Sequence, residues 1–267
     1  MASCANRGVG PQGGPKDSIP PVPRHCVPEQ GTLNFDGKRI EITFDEYIQL
    51  DNIASNLMMS PPQQNPPDVK ARGKRLIINL QDSLYPNTTY TIDFGAAICD
   101  YREKVPLRGY SFYFSTGDEI DTLETTGCVY DAQTLNPVYG VTVGIYANMA
   151  DSAFERLPFL RIAKTDSTGS FRIKNIHPGT YRIYAVDDIS RDYRLTIGES
   201  MSFADEPITI SAPVALPEDS TVSDSLSTIT NNLSPLTSNL SPLFLFKEQQ
   251  TKLYFQRALR EEQHRIQ

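Results

Sequence analysis

The sequence predicts an all-β chain of two tandem antiparallel β-sandwiches, and three features carry that expectation. Apolar and polar residues alternate with a period of two in segment after segment, the mark of strands with one buried and one wet face. The clearest case is TDSTGSFRIKNIHPGTYRIYAV, from Thr165 to Val186. There Phe171 and Ile173 point one way while Ser170, Arg172 and Lys174 point the other, and Tyr181, Ile183 and Ala185 repeat the pattern beyond a turn at Pro178-Gly179. Turn clusters such as Ser60-Pro61-Pro62 and Pro86-Asn87 punctuate the remaining strands. The third feature is size: 267 residues with 39% hydrophobic content fill one or two cores, which at this turn spacing means two sandwiches of about 100 residues each.

Residues 1–18 read as a flexible tether. Ala2-Ser3-Cys4 followed by ANRGVGPQGGP resembles the end of a bacterial lipoprotein signal, where small residues precede the Cys that becomes the lipidated N-terminus. On that resemblance Cys4 carries the lipid, and the membrane is reached through a lipid anchor only. Met1 stands where a Leu-type residue is usual, and the basic and apolar parts of a signal peptide are missing, as in a shortened start. An ordinary N-terminus with a chance Cys is the plainer alternative. No run of 18 apolar residues occurs, so a membrane-spanning helix is not expected.

Residues 19–118 form the first expected domain. RIEITFD (39–45), RLIINLQ (75–81), TYTIDFG (89–95) and YSFYFST (110–116) each alternate as sandwich strands. The order Pro20-Pro21-Val22, Pro28-Glu29-Gln30-Gly31, Ile42-Thr43-Phe44-Asp45-Glu46-Tyr47, Leu84-Tyr85-Pro86-Asn87-Thr88-Thr89-Tyr90 and Phe112-Tyr113-Phe114-Ser115-Thr116-Gly117 resembles the bacterial Ig-like domain of S-layer and surface-lipoprotein type. Within it the proline-led turn before Tyr90 suits a corner between sheets, with Tyr90 hydrogen-bonding across it; a ligand-contacting Tyr90 is the less common use of such a residue.

Residues 119–217 form the second. Gly127-x-Val129-x-Asp131-Ala132, Pro137, Gly140-Val141-x-Val143, Thr165-Asp166-x-x-Gly169-x-Phe171 and Pro178-Gly179-x-Tyr181 resemble the carboxypeptidase regulatory-like domain, also called transthyretin-like or collagen-adhesin B-like. The resemblance implies a non-catalytic appendage. Gly169 and Gly179 are expected at positive φ, and Phe171, Tyr181 and Cys128 in the core. Residues 218–242, of which 16 are Ser, Thr, Asn or Pro, read as a linker or stalk containing the repeat NLSPLTS, NLSPLFL. Residues 243–267 read as a C-terminal segment, an unpaired strand or stranded helix opening a further, cut region.

The net charge of -7, spread without a basic stripe, lacks the cationic footprint of a phosphate-backbone binder, so no nucleic-acid partner is expected. Cys26, Cys99 and Cys128 have no CxxC spacing, which removes a zinc or redox site. Cys26 and Cys99 fall in one domain and could pair in an oxidising envelope, but small buried free thiols are the favoured reading. The three histidines fall in different regions, and GxSxG, HExxH and phosphate-binding glycine loops are all missing; an enzyme is not expected. Lys174 and Asn175 do not suit an intramolecular isopeptide bond, because the strand period turns Lys174 to solvent. Asp-Ser/Thr tripeptides at Asp17, Asp82, Asp121, Asp151 and Asp224 resemble acceptors of a bacterial envelope O-glycosylation system.

One ligand-like spacing remains, and no other cofactor is implied. Counted from Asp188, oxygen-bearing side chains fall at positions one, three, five, nine and twelve: Asp188, Ser190, Asp192, Thr196 and Glu199, the spacing with which an EF-hand-type loop wraps calcium. Tyr193 occupies the sixth position, where a glycine is usual, and Arg191 and Arg194 crowd the loop, so a polar loop after a strand competes with the metal site. The sequence therefore points to a non-enzymatic, lipid-anchored envelope protein, on the outer membrane or cell surface, serving as spacer or binding module. Its expected partner is an envelope protein or glycan. The alternative is a set of accessory domains attached to a larger exported enzyme or surface assembly.

Overall fold

A computed structural model describes residues 17–150, 153–196, 198–211 and 236–247. Over the described residues the fold is all-β, as expected, with two single-turn helices. The N-terminal sandwich comprises β1 (Pro23–Val27), β2 (Arg39–Phe44), β3 (Ile48–Leu50), α1 (Ile53–Asn56), β4 (Met58–Ser60), β5 (Asp68–Arg72), β6 (Arg75–Asn79), β7 (Thr89–Asp93), β8 (Ile98–Asp100) and β9 (Ser111–Ser115). One sheet has the order β1-β2-β6-β5, the other β4-β7-β9, and β3-β8 forms a short ribbon beside them. All pairings here are antiparallel.

The alternation explains the packing. Ile40, Ile42 and Phe44 of β2, Leu76 and Ile78 of β6, and Phe112 and Phe114 of β9 turn inward and close one core around Tyr90 and Ile92. Each such side chain, fully buried, contributes ~1.5–3 kcal/mol. The Tyr90 ring stacks on Phe114 at 5.4 Å, and its hydroxyl accepts the N–H of Tyr85 at 2.7 Å: the corner bond that the sequence led one to expect. β7 breaks the pattern. Thr89 and Thr91, on its polar face, are buried as well, because the second sandwich covers that face.

The C-terminal sandwich comprises β10 (Leu123–Asp131), β11 (Thr142–Tyr146), α2 (Ala153–Arg156), β12 (Arg161–Lys164), β13 (Ser170–Ile176), β14 (Gly179–Val186), β15 (Ser200–Phe203), β16 (Ile208–Ile210), β17 (Leu236–Asn239) and β18 (Leu243–Lys247). Its strands follow one path, β12-β11-β14-β15-β18-β10-β13, with β16 on β14 and β17 on β10. The sheet curls until its end strands β12 and β13 lie alongside one another, enclosing a core that includes Val129, Val143, Phe171, Ile173, Tyr181 and Ile183.

Several expectations change here. The strands of the Thr165–Val186 block do not pair: β13 bonds to β10, while β14 bonds to β11, β15 and β16, so Pro178-Gly179 crosses between layers. Gly169 has φ +73, and a Cβ there would sit 2.5 Å from the Val129 carbonyl oxygen; Gly179 begins β14 without a positive φ. The positive φ of that region belongs to Asn175, at 57°. Cys128 is half-buried, since alternation sends its neighbour Val129 into the core and Cys128 to the opposite face.

The largest change concerns β18. Expected as an unpaired strand or stranded helix, residues 243–247 insert between β15, antiparallel, and β10, parallel. Leu243 and Leu245 are buried in the core while Phe244 and Phe246 face outward. Two leucines alternating with two phenylalanines make a strand with one face for the core, and the opening between β15 and β10 supplies both backbone partners. Residues 236–239, expected within the linker, pair with β10 as β17. Residues 218–235 of the linker, residues 248–267 and Cys4 lie outside the described residues.

A third apolar cluster covers the outer face of β11 and β14. Phe154 and Phe159 pack on Tyr146 and Tyr184, and Met58 of the N-terminal sandwich joins them. Gly144 makes this possible: a Cβ on it would lie 2.2 Å from the Phe159 ring. Among the described residues, no helix is long and apolar enough to cross a membrane.

Candidate functional site

The two sandwiches meet through a polar joint centred on Asp121, in the connection between β9 and β10. Its backbone N–H donates to Thr89 Oγ1 at 2.9 Å and its carbonyl accepts from Asn175 Nδ2 at 2.7 Å. Its carboxylate holds Arg161 Nη2 at 3.2 Å through Oδ2 and His177 Nδ1 at 3.0 Å through Oδ1. Arg161 is buried, and its Nη1 also donates to the Thr89 carbonyl at 2.5 Å. Burial draws the guanidinium below its usual value, an effect that Asp121 opposes. A buried pair of this kind is costly to break from one side, by about 3–5 kcal/mol, because the remaining charge is stranded.

Further bonds cross the same boundary. Thr91 Oγ1 donates to Asn175 Oδ1 at 2.8 Å, and the Ile162 N–H donates to Ser60 Oγ at 3.1 Å. Lys164 Nζ reaches the Ser55 carbonyl at 3.0 Å, Lys174 Nζ reaches Ser111 Oγ at 3.2 Å, and Arg191 Nη1 reaches the Ala54 carbonyl at 3.1 Å. Lys174, expected in solvent, is half-buried on this joint: the polar face of β13 is an interface face. The hydroxyl and amide groups exposed by the strand period are those that bind the sandwiches together.

Beside the joint lies an open cleft of about 1410 Å³. One wall is built from α1, β4, β7 and the loop carrying Arg108, the other from β10, β12 and β13. Its cationic lining residues are Arg108, Lys164, Arg172 and Lys174; its anionic ones are Asp93 and Asp166. Tyr130 and Tyr139 flank it, and Tyr139 is 72% exposed.

The calcium-type spacing brings its residues to one loop but fills it with donors. Glu199 is buried; its Oε1 accepts the N–H groups of Ile189 and Ser190 at 3.0 and 3.1 Å, and its Oε2 accepts that of Thr196 at 3.0 Å. Asp188 accepts Ser190 Oγ and the Asp192 N–H through Oδ1, and the Tyr193 N–H through Oδ2. Asp192 accepts the Arg194 N–H and Thr196 Oγ1. Burial pushes the Asp188 carboxyl up, and nearby Glu199 adds to this. These oxygens take up donors from the loop's own backbone, and among the described residues no group of three or more His, Cys, Asp or Glu is gathered in the arrangement of a metal site. The spacing encodes a self-capped turn, in which Arg191 and Tyr193 take φ 59° and 58°.

Cys26, Cys99 and Cys128 are free thiols. Burial pushes the thiols of Cys26 and Cys99 up, which makes them poor nucleophiles. Sequence reasoning missed the joint and the cleft, whose residues are spread over strands and connections in unremarkable polar positions. It also missed an outward aromatic band, in which Phe203 lies 6.2 Å from Phe246 and Tyr130 lies 6.4 Å from Phe244. The alternation in LFLFK was the available signal.

No curated protein matches the chain. Among solved structures, an L,D-transpeptidase from Mycobacterium smegmatis superimposes with a TM-score of 0.26 at 10% identity, over 70% of this chain and 77% of that one. The N-terminal part of the bacterial S-layer protein SbsC gives a TM-score of 0.26 at 14% identity, over 62% of this chain and 40% of that one. BcpA, the major pilin subunit of Bacillus cereus, gives 0.20 at 11% identity, over 68% and 62%. These superpositions are too loose to define a common fold. Residues 17–116, the N-terminal sandwich, match the bacterial Ig-like domain family.

Proposed function

We propose that the chain is a non-enzymatic cell-envelope lipoprotein, anchored through Cys4, whose tandem sandwiches serve as a stiff spacer and binding module at the cell surface. In this reading residues 1–18 are the tether, 19–118 the Ig-like domain, 119–217 a carboxypeptidase regulatory-like domain and 218–242 a linker whose end is recruited as β17. The Ig-like match over residues 17–116 is the observation that carries the surface assignment. The Asp121–Arg161 joint supports the stiffness: a spacer transmits position only if its units do not swivel, and a buried, multiply bonded ion pair resists swivelling more than an open linker does. The one His–carboxylate pair among the described residues, His177 with Asp121, leads to that buried arginine and to no nucleophile, which favours a role without catalysis.

The test is incorporation of radiolabelled palmitate by the product of the complete reading frame in a bacterial host. Label in the membrane fraction that disappears with Cys4→Ala is expected. An unlabelled product in the cytosolic fraction would overturn the anchor and the address.

A further inference from the structure

We propose that the cleft between the sandwiches binds an anionic oligosaccharide, its acidic groups held by Arg108, Lys164 and Lys174 and a sugar ring resting on Tyr139. The proposal rests on reading the chain as a binding module, not on its lipid anchor. Charge makes the first part of the case. The protein carries a net charge of -7, yet this cleft presents four cations against two carboxylates, so its field runs against that of the whole surface.

The two carboxylates are already occupied by local turns. Asp93 Oδ1 accepts the Gly95 N–H at 2.8 Å; Asp166 Oδ1 accepts the N–H groups of Thr168 and Ser170 at 2.8 and 3.0 Å and the Thr168 hydroxyl at 2.6 Å. Of the cations, Arg172 has Glu124 at 3.6 Å. Among the described residues, Arg108, Lys164 and Lys174 have no carboxylate within ion-pair distance. Lys164 and Lys174 spend one donor each across the joint, on the Ser55 carbonyl and the Ser111 hydroxyl, and an ammonium has three. Desolvation, with nearby Arg191 adding to it, holds the Lys164 ammonium below its usual value, a penalty that a bound anion relieves.

Shape and remaining chemistry select the class of anion. The volume, about 1410 Å³, exceeds the ~300–1,000 Å³ typical of a pocket for one small molecule, and suits a short oligomer. The lining also includes neutral polar residues, Asn52, Asn56, Thr91 and Thr126; Thr91 Oγ1 and Asn56 Nδ2 each donate within the protein and keep acceptor oxygens for a chain of hydroxyls. Tyr139 offers an exposed ring, on which the apolar face of a pyranose can lie while its hydroxyls stay wet.

The experiment is calorimetric titration of the full chain with a tetrasaccharide of galacturonic acid, with the neutral galactose tetrasaccharide and a glutamate tetrapeptide alongside. Saturable binding of the uronate alone, weakening as salt rises, is expected. Arg108→Glu and Tyr139→Ala should each lower affinity by about tenfold or more with melting temperature unchanged, since Arg108 and Tyr139 are exposed. Four results would overturn the proposal: no saturable binding by folded protein, equal binding of the neutral sugar, equal binding of the peptide, or affinity indifferent to both substitutions. None of these bears on palmitate incorporation, so the two readings fail separately.

Discussion

The two sandwiches bury similar kinds of side chain but are completed differently. The N-terminal one closes from strands that follow each other between Pro23 and Ser115, antiparallel throughout. The C-terminal one leaves a place between β15 and β10 that is filled by β18, which follows residues 212–235 and runs parallel to β10. In the first, every strand of the core comes from one short span of sequence. In the second, two core leucines come from beyond a stretch whose composition reads as a stalk. A domain boundary drawn where composition changes therefore separates residues that share a core.

The strongest way to break the contrast is Leu243→Asp. A carboxylate at this buried position should cost the C-terminal sandwich about 4 kcal/mol or more, whereas no residue of the N-terminal core touches it. Differential scanning calorimetry with limited proteolysis should show one transition lost or lowered and an N-terminal fragment near residues 17–118 surviving. Equal loss of both would mean that the joint, not the core, sets stability.

Next in size is Asp100→Ala, which acts on the other side. Asp100 is buried, which pushes its carboxyl up, but the N–H groups of Val105, Glu103, Arg102 and Lys104 outweigh this and hold it below the usual range. Losing these charge-assisted bonds should cost about 3 kcal/mol, confined to the N-terminal transition. The two acids also separate the sandwiches by pH. A depressed carboxyl contributes stability above its unfolded value of ~3.9, and that contribution is lost as pH falls through the folded value. Asp188 in the other sandwich is raised: its ionised form costs stability at neutral pH, and protonation as pH falls through its folded value relieves that cost. On acidification the strain of Asp188 on the second sandwich should therefore ease first, and Asp100's support of the first should fail only below the unfolded carboxyl value of about 3.9; calorimetry of Asp100→Ala and Asp188→Asn against pH reads both signs, and parallel pH profiles for the two variants would refute the assignment.

The smallest effect expected is that of Tyr90→Phe. It keeps the ring on Phe114 and removes the hydroxyl's bonds to the Tyr85 N–H and the Gln63 side chain, so about 1–2 kcal/mol should be lost, measurable as a shift in denaturant midpoint. A change in the C-terminal transition would show that the corner also braces the joint.

Much of this was legible in the sequence, and the pattern of what was not has a physical cause. A period of two states which side chains share a face; it does not state what covers that face. Phe112, Phe114, Phe171 and Tyr181 are in cores as read, and β2, β6, β7 and β9 coincide with the four alternating segments. Thr89, Thr91, Lys174 and Asn175 were equally legible as a polar face, but their burial depends on a partner surface distant in sequence. The same holds for β13 and β14: both strands were evident, while their separation onto β10 and β11 is a matter of topology. At the candidate site, Asp188 and Glu199 were brought together as the spacing implied. Which groups surround them was fixed by backbone conformation, with Arg191 and Tyr193 at positive φ, and composition does not report that.

The position of β18 also sets an order of events during synthesis. The N-terminal sandwich has all its strands once Ser115 has left the ribosome, and can close while the rest of the chain is still being made. The C-terminal sandwich must wait for Leu243 and Leu245, so β10, made more than a hundred residues earlier, stands with one edge open in the meantime. Part of the molecule is thereby held back from its final form until Leu243 and Leu245 arrive to close its core.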